Sequence, residues 1–170
     1  MTATIQYGVS TWLWTSPFKT DAIDPLFKKV ADLGFDAIEI ALEDPSQVDN
    51  IAVKKALDKY HLKPIVCGAF GSTRDLTHED PAIHEQCFQY IEACLQCCKA
   101  LGAAFVAGPM YSAVGKTRML SPEKRKAEWE LAVCNLRKAC EMAAQYDCYL
   151  AIEPLNRFES DLVNTAKDVC

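Results

Sequence analysis

The sequence has no glycine-rich phosphate cradle, no GxSxG elbow and no HExxH pair. The local signatures of nucleotide-binding loops, serine hydrolases and zinc peptidases are therefore missing. It has only 3 histidines. His61 follows one helical pattern and His78 and His84 flank the start of another, so none reads as a metal ligand. No apolar run reaches the length needed to cross a bilayer, which argues against a membrane protein. The opening MTATIQYGVSTWLW lacks the basic start and long apolar core of a secretory signal, and a cytoplasmic protein is expected. Clustered positive charge is also missing. The formal net charge is −5, with lysines and arginines scattered along the chain, so no footprint for gripping a nucleic-acid backbone exists.

A disulfide framework is absent as well. The 9 cysteines are odd in number and not spaced like those of a small secreted domain. Cys87, Cys94 and Cys98 recur with Ile91 at helical spacing, as small apolar residues packing one face would. Cys94 and Cys97 form a CxxC, yet no second pair or nearby histidine completes a zinc set.

What is present is a core-forming chain of 170 residues, half of them hydrophobic, long enough for one domain. Ile5–Thr11 reads as a first strand leading into an aromatic loop with Trp12 and Trp14. A helix is expected from Asp24-Pro25, capped by the aspartate and closed by Gly34. Phe35–Leu42 follows as strand two. Ile38, Ile40 and Leu42 share one of its faces and Ala37, Glu39 and Ala41 the other, which suits a barrel with helices outside. A helix over 50–60 and a strand over 63–70 come next. A helix over 81–101, closed by Gly102, precedes a strand over 103–109. A helix opened by Ser121-Pro122 has a stripe of Trp129, Val133, Leu136, Cys140 and Ala143, expected to be buried. Strand five covers 148–153, and Asp161 or Asn164 starts a last helix.

Strands alternate with helices about every 35 residues, the pattern of a parallel sheet with right-handed crossovers. The expected fold is α/β, a partial (β/α)8 TIM barrel of about four and a half βα units, with residues 1–170 forming one domain cut short at its C-terminus. An open, doubly wound sheet is the alternative. Both architectures put ligands at the carboxyl ends of the strands. That singles out Trp12, Trp14, Phe70 and Tyr111, the glycines Gly68, Gly108 and Gly115, and the carboxylates Glu43, Asp44, Glu153 and Glu159. Oxygen donors of that kind suit hard divalent cations. Against this stand plainer readings: a glutamate after a strand could be only a solvated loop residue, Arg157 could pair with Glu153 or Glu159, Glu39 could be a satisfied structural acid, and the two tryptophans could be core.

The stretch AIEPLNRFES, with GVSTWLW, LGFDAIEIAL and VAGPMYS, resembles the ketose 3-epimerases, the D-tagatose and D-allulose 3-epimerases of the xylose isomerase-like superfamily. The resemblance runs along the whole chain but covers only the N-terminal portion of that fold. It implies a (β/α)8 barrel holding one divalent metal, manganese, cobalt or magnesium, between two glutamates, an aspartate and a histidine. Glu153 matches the first metal-binding glutamate, which is also a catalytic acid/base at C3 of the sugar. Glu159 matches a substrate-contacting glutamate and Cys67 a residue lining the substrate pocket. The implied activity is inversion of C3 of a free ketose through an enediolate. The implied partners are a small ketose and, in the full-length protein, further copies of itself. The other three ligands have no counterpart in these residues, so the 170-residue chain is expected to be inactive alone. Other sugar or hydroxypyruvate isomerases of the superfamily, and a non-catalytic half-barrel acting by assembly, are the competing readings.

Overall fold

The computed structural model describes residues 5–170; residues 1–4 of the N-terminal stretch lie outside the described residues. Five strands, β1 (Gly8–Ser10), β2 (Ala37–Leu42), β3 (Lys63–Gly68), β4 (Phe105–Gly108) and β5 (Tyr149–Ile152), alternate with helices. The helices are α1 (Ile23–Asp32), α2 (Asn50–Tyr60), α3 (Pro81–Leu101), α4 (Pro122–Gln145) and α5 (Ala166–Val169). All strand pairs are parallel and the sheet order is β1-β2-β3-β4-β5. A doubly wound sheet reverses its strand order at a switch point, whereas an uninterrupted order is one arc of a barrel. The open-sheet alternative is excluded.

The ladder carries the two-faced pattern of β2 across the sheet. Ile40 pairs with Val66, Val66 with Val106 and Val106 with Leu150, and this row packs under the helices. Ile38, Ile40, Val66 and Val106 are at most 1% exposed. The alternate row, Ala41, Cys67, Ala107 and Ala151, faces the side that a closed barrel would enclose. Cys87, Cys94 and Cys98 are fully buried core residues of α3, and burial pushes the Cys94 thiol up to about 12. They pack rather than react.

Local chemistry sets most helix ends. Asp49, Asp80 and Ser121 accept backbone N–H bonds at the starts of α2, α3 and α4, and Gly102 closes α3 with φ +75°. Three expectations are corrected. Asp24 caps nothing: a 3-10 turn, Thr20–Ala22, runs directly into α1, leaving no extended N-cap. Its carboxylate instead accepts from Lys59 Nζ at 2.7 Å and Tyr60 OH at 2.9 Å. The buried stripe of α4 is Ala132, Asn135, Ala139 and Ala143. Small residues let the helix approach closely, and Asn135 Nδ2 donates to Leu76 O at 2.8 Å. Trp129, Val133 and Leu136 are turned to the flank and Cys140 is exposed. The last helix starts only at Ala166, under a Thr165–Asp168 capping box, because Asn164 is held by bonds from its Nδ2 to Leu155 O and Ser160 O, both 2.8 Å.

Above the sheet, Asp75 in the β3–α3 loop is 2% exposed. It accepts from Lys116 Nζ at 2.9 Å, and from Thr77 N and Thr77 Oγ1 at 2.9 and 2.8 Å. Burial would raise its pKa, but the Lys116 ammonium and the Thr77 donors outweigh it and hold the carboxyl below its ordinary value. A depressed carboxyl stabilises the fold above its ordinary value and loses that contribution as the pH falls through its folded one. Asp75→Asn should lower stability at pH 7 by roughly 2–4 kcal/mol. In urea titrations the gap from wild type should shrink as the pH is taken below 3.8, the ordinary value.

Candidate active site at the carboxyl edge of the sheet

Strand β5 ends at Ile152, which packs toward the helices. Alternation then turns Glu153 to the opposite side, the side of Ala151 and Cys67. The Glu153 N–H donates to Gly108 O at 3.1 Å, so the ladder itself fixes the backbone of this acid. Gly108 has φ +136°, and a Cβ there would stand 2.8 Å from Gly68 O. Only glycine lets β3 and β4 approach this closely at the edge.

A cavity of about 340 Å³ opens here, walled by Trp12, Phe70, Pro109, Val114 and Leu155, with Glu153 and Glu159 as its acids. It is an apolar enclosure with two carboxylates, a form suited to a small polar ligand. Phe70 is 4% exposed and set edge-on to Tyr90 at 5.5 Å. Tyr90 OH donates to Leu42 O and accepts from Ala69 N at 2.7 Å, so one α3 side chain pins the ends of β2 and β3. Trp12 is 42% exposed and serves as pocket wall. Trp14 is half-buried against the core, beneath the Lys29 ammonium at 4.8 Å.

The electrostatics are those of convergent acids. Desolvation at the strand end, then Glu39 and Glu159, raise the carboxyl of the solvent-exposed Glu153 above its ordinary value. Burial, then Glu39 and Glu153, push the Cys67 thiol up to about 12. Cys67 lies one layer down, 3% exposed, with Gly68 rather than Cys67 lining the cavity. It is a neutral thiol beneath the floor. Among the described residues Arg157 forms no ion pair with Glu153 or Glu159, and the Glu39 carboxylate makes no hydrogen bond. The arginine pairing is not formed, and Glu153 and Glu159 are both solvent-exposed.

Glu159 is oriented by Asn156, whose Nδ2 donates to Glu159 Oε2 while its Oδ1 accepts from Phe158 N at 2.9 Å. That contact is not among the expectations from the sequence, although an asparagine three residues before an acid in a turn is a local signal for it. Asp44 caps the turn Pro45–Gln47, while Glu43 accepts from Ser16 Oγ at 2.7 Å through Oε1 and has its Oε2 buried with no hydrogen-bond partner among the described residues. Tyr111 is buried behind the site, its OH donating to Val163 O at 3.2 Å. His61, with φ 56°, closes α2, and the His84 ring contacts His78 O.

A sheet of sequential parallel βα units is the architecture of a TIM-barrel protein, a fold that binds ligands at the carboxyl edge where these acids lie. Residues 27–169 match the xylose isomerase-like TIM barrel family, and the chain belongs to it. The chain is 27% identical over 161 residues to the L-ribulose 3-epimerase of Methylomonas sp. (strain DH-1), covering 95% of this chain and 55% of that protein. It is 25% identical over 163 residues to the ketose 3-epimerase of Arthrobacter globiformis, covering 96% and 55%. The crystal structure of a Methylomonas sp. D-allulose 3-epimerase in complex with D-allulose superposes with a TM-score of 0.87 at 27% identity, covering 97% of this chain and 56% of that one. The chain thus spans about half the length of the curated relatives it matches.

The divalent cation implied by the resemblance can be tested against these residues. A carboxylate at the strand end, in a pocket made negative by two other acids, suits a hard cation. No group of three histidine, cysteine, aspartate or glutamate side chains is gathered to enclose one among the described residues. The fit is that of part of a donor set.

A crowded acid should cost stability when ionised. The folded Glu153 carboxyl sits above its ordinary 4.5, so its penalty is absent at low pH and appears as the pH rises through that range. In chelator, Glu153→Gln should melt above wild type at pH 7, and calorimetry should show the gap closing below about pH 4.

Proposed function

We propose that these residues are one wall of the active site of a ketose 3-epimerase, with Glu153 as cation ligand and acid/base and with Glu159 and Cys67 serving the sugar. The observation that carries this reading is Glu153, held by the β5 edge on the inner side of the sheet and crowded by Glu39 and Glu159 above its ordinary pKa. The ketose 3-epimerase relatives support the substrate class. A divalent cation bound in part by Glu153 would polarise the sugar carbonyl and favour loss of the neighbouring proton.

The chain's own residues do the rest. Glu153, as carboxylate, takes the proton from C3 on one face. The C–H electron pair moves into a C2–C3 enediolate, and return of a proton to the opposite face inverts the centre. A carboxylate whose pKa is raised is the stronger base for removing the C3 proton. Asn156 aims Glu159 at the sugar hydroxyls, while Trp12 and Phe70 exclude water from one side. Cys67, small, neutral and buried, sets the depth of the floor. Nine free thiols suit a reducing compartment, consistent with a cytoplasmic place for the reaction.

Inversion needs a second acid/base on the far face of C3, and a cation needs more donors than Glu153. Ketose turnover is therefore expected from the protein expressed from its complete reading frame, with a divalent cation present, and not from the purified 170-residue chain. In the complete protein, Glu153→Gln should lower kcat at least about 10³-fold, measured by chromatography of the C3 epimers. Full activity in that variant, or no turnover of any ketose by wild type, would sink the proposal.

A further inference from the structure

Glu159 rides on the loop after β5, and that loop is clamped. Gly115 N–H donates to Glu159 O at 2.7 Å and Asp161 N–H donates to Lys116 O at 2.8 Å. Lys116 and Ser160 thereby form a short parallel bridge outside the main sheet. This small ladder joins the β4–α4 loop to the segment bearing the acid. Its backbone bonds are few, so something must hold the two loops in register.

That role falls to a charge cluster built around Arg118. The Arg118 backbone N–H donates to Asp161 Oδ2 at 2.6 Å, Nε to the same oxygen at 3.0 Å and NH2 to Asp161 Oδ1 at 3.2 Å. The other edge of the guanidinium bonds Glu128 on α4, NH1 to Oε1 at 3.0 Å and NH2 to Oε2 at 2.6 Å. Asp161 and Glu128 side chains are only 11% and 12% exposed. A planar fork with five donors can bridge two carboxylates at fixed angles, which an ammonium cannot. The cluster pulls Asp161 below its ordinary pKa against its burial. Arg125 from α4 adds bonds to Asp161 O at 2.7 Å and Leu162 O at 2.8 Å.

We propose that Arg118 is a positioning residue for Glu159: bridging Asp161 and Glu128, it locks the register between the 115–118 and 159–161 loops and so sets where the Glu159 carboxylate stands in the pocket. The idea rests on the reading of Glu159 as a sugar contact. Arg118 itself lies outside the lining of that pocket. Its effect on substrate is indirect, carried by the clamped loop that bears Glu159.

The test combines hydrogen exchange with kinetics on the protein from its complete reading frame, in Arg118→Gln and Arg118→Lys, each with and without Glu159→Gln. In Arg118→Gln the Gly115 amide should exchange about tenfold faster while the Leu95 amide in α3 keeps its protection. Ketose KM should rise about tenfold with kcat within about twofold. With Glu159→Gln already present, the Arg118 change should add no further rise in KM, because the two act as one unit. Arg118→Lys keeps the charge without the fork and should fall between; it carries the same comparison if Arg118→Gln does not fold. Unchanged Gly115 exchange, or the same rise in KM in both Glu159 backgrounds, overturns the proposal. Faster Gly115 exchange in a protein that turns over no ketose supports the register lock and overturns instead the sugar-contact reading of Glu159.

Discussion

Parallel pairing in strict sequence order, with one register carried from β2 to β5, decides where every side chain of the site points. The row Ile40, Val66, Val106 and Leu150 is committed to the helices. The row Ala41, Cys67, Ala107 and Ala151 is thereby committed to the other side, and Glu153, two residues past Ala151, inherits that direction. A slip of one residue in β5 would send the acid into the apolar layer beneath α4, where an unpaired carboxylate is strongly unfavourable. Burial of the outer row therefore selects the register, and the register aims the acid.

The edge of the sheet is finished by two devices that differ physically. One is steric: Gly108 lets its strand end approach the Gly68 backbone to a distance no side chain allows, and Phe70 fills the space beside both glycines. The other is electrostatic. Asp75, Lys116, Glu128, Arg118 and Asp161 link the β3–α3 loop, the β4–α4 loop, α4 and the segment after β5 in one partly buried cluster. Breaking such a cluster costs more than its net contribution, because it leaves charges without partners. That asymmetry makes it a good device for fixing loops that must not drift.

The fold was largely legible from local chemistry. The helix over 50–60 falls where its apolar spacing puts it, and the helix over 81–101 where apolar spacing, an opening proline and Gly102 put it, since caps act within one turn. The barrel pattern followed from the regular strand–helix spacing. Long-range choices were not legible. Asp24 looks like a cap in the sequence, but its partners lie 35 and 36 residues away. The α4 stripe was displaced because bulky Trp129 and Leu136 suggest a core face, while the tight approach selects alanines and one bonded asparagine. At the site, Glu153 and Glu159 stood out as strand-end acids. The exposure of Trp12, the depth of Cys67 and the partners of Arg118 depend on loops that meet only in three dimensions.

The central claim is that Glu153 and Glu159 face one small pocket, the first toward a cation and the second toward a sugar. The most direct measurement is a crystal structure of the protein from its complete reading frame with manganese and a ketose bound. A Glu153 oxygen should lie within about 2.0–2.3 Å of the ion and a Glu159 oxygen should be hydrogen-bonded to a sugar hydroxyl. An ion and sugar bound elsewhere, with Glu153 in solvent, would contradict it.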